Sequence, residues 1–418
     1  MSVTLPRVVA RAAPNSHADP ARGYGPQLRK IVNIAAAEQA LAQIRRWPGY
    51  RETPLWALKG LAGACGVGSL YYKDEGLRFE LGSFKALGGA YAVSRLLMRE
   101  IATRSLIDDI GIEDLLSGRY RDYTRDITVT CATDGNHGRS VAWGARLFGC
   151  RCVIYVHSTV SEYRAEAIAQ YGAEVVRTAG NYDQAIRQAA LDADWHGRHV
   201  VSDTSYPGYL EIPRDVMQGY TVMVEEALAQ WPERQPPSHV FLCAGVGSMA
   251  AAVIAHFWER LEGQRPRFVV VEPDQADCVF RSIQAGERVD VDSELDTLMA
   301  GLACGEVSVL AWQILREGMD LALSVPDQAA VDGMRLLAQG LDGDPPVVAG
   351  ESAVAGLAGL LAVVQEPALR QALALDSDSR VLLFGTEGAT DPALYTRLVG
   401  RSAAAVAGEP TAEGEVHD

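Results

Sequence analysis

The sequence predicts an α/β fold in which parallel-rich sheets are flanked by helices, divided into two domains with a cleft between them. Three observations carry this. Short apolar runs rich in Val, Ile and Cys, at 127–131, 152–156, 173–176, 239–243, 268–271 and 381–384, read as buried strands. Longer stretches of helical period separate them, at 86–101, 160–171, 182–195, 247–261, 327–339 and 353–364. Strand and helix taking turns is the pattern of parallel sheets covered by helices. The strands also fall into two sets, one around 127–201 and one after 239, which divides the chain into a large domain of 26–124 and 207–400 and a small domain of 125–206.

The flanks differ in character. Residues 1–25 hold Pro, Asn, Ser and Arg without periodicity and read as an arm or a poorly ordered segment. Residues 401–418 are small residues followed by Glu and Asp, expected to form a mobile acidic tail. The proline-rich Trp231-Pro-Glu-Arg-Gln-Pro-Pro237 is expected to loop ahead of the strand at 239–243.

With 418 residues, 48% of them hydrophobic, the chain can bury sizeable cores. Its net charge of −15 would repel nucleic acid and anionic membrane surfaces, which argues against both as partners and leaves a small zwitterionic substrate compatible. The seven cysteines form no Cys-x-x-Cys pair and no metal-like spacing with His, so they read as buried thiols of a reducing compartment. The first thirteen residues lack the apolar core of a signal peptide, and no run reaches the roughly 18–20 apolar residues that span a bilayer. The expectation is a soluble, cytoplasmic protein.

Within this frame, Gly82-Ser-Phe-Lys-Ala-Leu-Gly-Gly89 puts Lys85 at the start of a helix. That is the unfavourable end of the macrodipole for a surface cation, by about 0.3–1 kcal/mol. Schiff-base chemistry gives the position a reason, since a helix N-terminus and burial both lower an amine's pKa and leave it nucleophilic. Taken alone, Lys85 reads more readily as an exposed lysine on an amphipathic helix. A second feature is the strand at 239–243 running into Ala244-Gly-Val-Gly-Ser-Met249, where amide N–H groups and a helix N-terminus converge as a phosphate cradle. No third glycine and no Gly-Lys-Ser/Thr follows, so the turn is neither a dinucleotide fingerprint nor a Walker loop.

The lysine segment resembles the lysine motif of the pyridoxal-phosphate enzymes of the tryptophan synthase β-chain fold (fold type II). Four more segments are similar to one branch of them, the diaminopropionate ammonia-lyases: Ala132-Thr-Asp-Gly-Asn-His-Gly-Arg139, Cys243-Ala-Gly-Val-Gly-Ser-Met249, Met299-Ala-Gly-Leu-Ala-Cys-Gly-Glu306 and Thr386-Glu-Gly-Ala-Thr-Asp-Pro392. The resemblance runs from about Tyr50 to about Leu398 and departs at Glu80, where a small residue such as glycine is expected. It implies two domains with the active site in their cleft, pyridoxal 5'-phosphate as cofactor, an amino-acid substrate and a homodimer.

The resemblance also implies roles. Lys85 carries the cofactor; the turn Gly245, Val246, Gly247, Ser248 and Met249 holds its phosphate, so that bulk at Gly247 should cost cofactor rather than fold; Asn136 bonds the ring hydroxyl. Without the family, Asn136 and His137 read as a helix cap and a surface imidazole. Thr386 is placed to offer its hydroxyl to the pyridine nitrogen, and a neutral partner there favours β-elimination over transamination. Glu351 is a second candidate near the ring, or a first-turn helix carboxylate. The loop with Asp134 differs from that of serine and threonine dehydratases, which usually carry serine there. A carboxylate beside the substrate can pair with a second ammonium group or take a proton. Asp203 joins it as a candidate, with a turn residue as its plain alternative; the resemblance implies that both enantiomers are accepted and that these two aspartates serve the D-form, whose Cα hydrogen faces away from Lys85. The expected activity is elimination of the β-amino group of 2,3-diaminopropionate, with serine, threonine or hydroxyaspartate elimination and a non-catalytic relative as the rivals.

Overall fold

The computed structural model describes residues 5–408 except Asp108, Asp134, Thr159 and Asn181. Eleven strands among these residues form two sheets. In chain order they are β1 (Arg11–Pro14), β2 (Leu55–Ala57), β3 (Ser69–Asp74), β4 (Thr128–Thr133), β5 (Arg151–Val156), β6 (Glu174–Arg177), β7 (His199–Val200), β8 (His239–Cys243), β9 (Arg267–Pro273), β10 (Leu321–Val325) and β11 (Arg380–Gly385). The large sheet runs β1-β10-β9-β8-β11-β3-β2, parallel except for the antiparallel edges β1 and β2. The small sheet, β6-β5-β4-β7, is parallel throughout.

All six expected strands are present, with ends shifted by no more than two residues. Their central strands are buried on both faces, which is why they read as unbroken apolar runs. Five strands lie outside those six runs, of which β7 is the strand expected ahead of Asp203. In β3 the pattern is masked by Lys73, a buried lysine whose ammonium meets Glu226 at 2.9 Å. The edge strand β1 is Arg-Ala-Ala-Pro, too polar and short to carry a signal, and β7 has two residues. The N-terminal segment is accordingly an arm, tied to the large sheet through β1. At the other end, part of the expected mobile tail is a short helix, Ala403–Ala407, with Val406 buried; residues 409–418 lie outside the described residues.

Strand order brings the working loops together. From β8 the chain proceeds to β9 and β10 on one side, while β11 and β3 lie on the other, so the carboxyl ends of β8 and β11 flank a topological switch point. In open parallel sheets this is where the loops part and leave a crevice. The helix Lys85–Ser105 packs between the helices Asn136–Phe148 and Glu211–Tyr220. Gly89 permits this approach, since a Cβ there would fall 2.0 Å from the Ser140 hydroxyl oxygen.

Candidate active site

Lys85 is positioned by the end of β11. The Phe84 amide donates to the Thr386 carbonyl at 3.0 Å and the Gly388 amide to the Gly82 carbonyl at 2.9 Å, so the turn before Lys85 is pinned to the segment that follows the strand. The helix then starts on Lys85, and its ammonium pairs with the Asp203 carboxylate. Burial pulls the lysine pKa down, as expected, but the charge and hydrogen bond of Asp203 outweigh it and hold the amine above its ordinary value. The expectation of a lowered pKa is thus corrected: it takes no account of Asp203, which follows four strands later in the chain. Burial likewise pushes Asp203 up, yet Lys85 and then His137 hold the acid well below the usual carboxylate range.

Asp203 is fixed from two directions. The Ser248 hydroxyl donates to its backbone carbonyl at 2.7 Å, joining it to the glycine turn. His137 approaches its carboxylate with Nδ1 at 3.8 Å, while Nε2 lies 2.8 Å from the Val201 carbonyl. His137 is buried, not the surface imidazole that its local sequence allowed. Asp134 lies outside the described residues.

Across the cleft, β8 leads through Ala244–Gly247 into the helix Ser248–Leu261. The amides of Val246 to Ala250 donate to no protein acceptor among the described residues, the condition of a helix start open to an anion. Gly247 has φ +85°, and a Cβ there would lie 2.7 Å from Leu315 Cδ1. Bulk at Gly247 therefore strains the fold as well as the turn, against the expectation that only cofactor binding would suffer. A Cβ on Gly245 would meet Cys304 Sγ at 2.9 Å, so the Met299–Gly305 segment packs directly on the turn.

The third wall holds Thr386, buried, with its hydroxyl 3.7 Å from Cys243 Sγ. The Asn136 amide donates to Glu387 Oε2 at 2.5 Å, and the Ser352 amide donates to Glu387 Oε1 at 3.0 Å. Glu351 is turned to Arg164, 3.1 Å away, and burial raises its pKa above the usual carboxylate range. Glu387 is the functional candidate that sequence reasoning missed; its signal was its place beside Thr386. Together Lys85, Asn136, Asp203, the Gly245–Met249 turn and Thr386 line one cleft of about 920 Å³. That is room for a cofactor and a small amino acid.

These residues fit pyridoxal phosphate: an amine for the aldehyde, open amides for one phosphate, and a neutral hydroxyl among the ring-side groups. Among the described residues, no group of His, Cys, Asp and Glu is arranged to hold a metal, and no helix is long and apolar enough to cross a membrane.

The sequence pattern of the pyridoxal-phosphate dependent enzymes matches residues 46–387. Diaminopropionate ammonia-lyase of Escherichia coli is 41% identical over 363 residues, covering 86% of this chain and 90% of the relative. That of Salmonella typhimurium is 39% identical over 384 residues, 89% of this chain and 94% of the relative. The crystal structure of the Escherichia coli enzyme in complex with an aminoacrylate-PLP azomethine reaction intermediate superposes with a TM-score of 0.84 at 38% identity, covering 95% of this chain and 98% of that one. The chain belongs to the diaminopropionate ammonia-lyase family of pyridoxal-phosphate dependent enzymes.

Proposed function

We propose that this chain holds pyridoxal phosphate on Lys85 and eliminates the β-amino group of 2,3-diaminopropionate. The Cα–H and Cβ–N bonds break, a Cα=Cβ double bond forms and one ammonia departs; the released enamine takes up water and loses the second ammonia to give pyruvate. The observation that carries this reading is the meeting, in one cleft, of the Lys85–Asp203 pair with the amide cradle of the Gly245–Met249 turn. When bound, the cofactor supplies a conjugated ring that accepts the electrons left by the Cα proton.

The chain's own residues supply the rest. Lys85 is the base for a Cα hydrogen on its side of the cleft, because its amine is released once the substrate amine takes its place. Asp203 orients that amine and sets its charge. Asp134, from its motif, is the carboxylate for the opposite hand of substrate and for the second ammonium. Asn136 and Thr386 hold the ring, and Glu351 fixes Arg164 beside it. The reading extends to a homodimer, tested by light scattering, and to the cytoplasm, with which seven cysteines in the thiol form agree.

The test is stoichiometry. Diaminopropionate of either hand should yield two ammonia per pyruvate, and both forms of serine and L-threonine far slower turnover. Turnover of serine or threonine that exceeds that of diaminopropionate would overturn the substrate assignment.

A further inference from the structure

Glu387 is a buried carboxylate in the cleft that makes no ion pair among the described residues: Arg164 is paired with Glu351, and Arg139 acts on Glu387 only through its charge. An acidic side chain is rarely buried without a partner. Its two oxygens accept from different walls of the site: Oε2 from the Asn136 amide at 2.5 Å, Oε1 from the backbone N–H of Ser352 at 3.0 Å. Its backbone is fixed too, by a bridge between Ser83 and Glu387 two residues before Lys85. The Ser352 hydroxyl in turn accepts from the Gly301 amide at 3.0 Å, which fastens the same point to the segment packed on the glycine turn.

A carboxylate only accepts, whereas the two ends of an Asn side chain are nearly alike in shape and opposite in hydrogen-bonding sense. An anion held beside Asn136 therefore chooses which end faces it. The NH₂ group is committed to Glu387, and the amide keeps one N–H and its oxygen for other partners.

We infer that Glu387 is a positioning residue: it fixes the amide of Asn136 in the single orientation that Asn136 needs to hold the cofactor ring. This rests on the reading that the cleft takes pyridoxal phosphate. Glu387→Gln is a discriminating change, because glutamine matches the size and can still accept from Asn136, but its own amide can donate as well, so the choice of orientation is lost. By analogy with outer partners that orient metal ligands, the expected effect is about tenfold on cofactor affinity and on kcat.

A double-mutant cycle reads this directly. The apo forms of the unsubstituted chain, Glu387→Gln, Asn136→Ala and the double variant are titrated with pyridoxal phosphate by absorbance, and the visible band, kcat, KM and unfolding temperature of each are recorded. Acting through Asn136, Glu387→Gln should weaken cofactor binding about tenfold and shift the band in the presence of Asn136, yet change either by less than about twofold in the Asn136→Ala background. Equal losses in the two backgrounds, or a fallen unfolding temperature with an unshifted band, would assign Glu387 a structural role and overturn the inference. Should the glutamine variant not fold, Glu387→Asp, which keeps the charge but withdraws it from the amide, is put through the same cycle. Failure of the unsubstituted chain to take up cofactor would overturn the underlying reading and this inference together; normal uptake with an additive cycle would overturn the inference alone.

Discussion

At the scale of single residues, the Lys85–Asp203 pair decides how the site responds to pH. Lys85 stands above its ordinary 10.5 and Asp203 below its ordinary 3.8. A lowered acid stabilises the fold above pH 3.8 and loses that contribution as pH falls through its folded value. A raised base stabilises below pH 10.5 and loses it as pH rises through its folded value. The pair is thus fully in force across the neutral range. In Asp203→Asn the chief upward push on Lys85 is gone while burial and the smaller push of Tyr220 stay, so the lysine pKa drops. Mass-spectrometric labelling of the apo protein with an amine reagent, followed against pH, should show the Lys85 midpoint moving down; an unmoved midpoint would mean that Asp203 does not set the amine's charge. The resemblance assigns Asp203 to the D-form with Asp134, but because Asp203 touches Lys85 its loss should slow both enantiomers of diaminopropionate. Asp134→Asn should instead lower turnover of the D-form more than of the L-form, by up to the 10²–10⁴-fold typical of a missing general base. Equal slowing of the two would leave Asp134 a substrate-binding role only.

At the scale of elements, the approach to Lys85 stores strain. Phe79 and Glu80 both take left-handed backbone, with φ of 50° and 60°, before the chain reaches Gly82. For a residue with a Cβ this costs roughly 1–2 kcal/mol. The segment is held by a buried network in which Arg78 pairs with Glu75 at 2.8 Å and Glu226 at 2.7 Å. Glycine adopts this region freely, which explains in physical terms why a small residue is the natural expectation at position 80. Glu80 is exposed, so Glu80→Gly removes the strain without emptying the core. Urea unfolding should show it more stable by up to about 1 kcal/mol, the relief being partly offset by the greater freedom of glycine in the unfolded chain. A loss of stability would mean that the Glu80 side chain makes a favourable contribution larger than the strain.

At the scale of the whole molecule, what was legible followed from burial. Strands such as β8, β9 and β11 are apolar because helices cover both faces, and the glycine turn and Lys85 stand where strand ends meet helix starts, so period and punctuation together reveal them. Less was legible where charge is buried. Lys73 in β3 and Glu387 beside Thr386 look like surface residues in the sequence and are inside the protein, because their partners, Glu226 and Asn136, lie 153 and 251 residues away. The raised pKa of Lys85 was hidden for the same reason, since Asp203 is 118 residues distant. Such pairings need the fold, which brings both sheets to one cleft. The chemistry of that cleft rests on Lys85 as the residue that carries the cofactor. The most direct measurement is borohydride reduction of the purified protein loaded with pyridoxal phosphate, followed by proteolysis and mass spectrometry. The visible absorption band should vanish and the pyridoxyl group be found on the peptide containing Lys85; a pyridoxyl group on any other lysine would contradict the account.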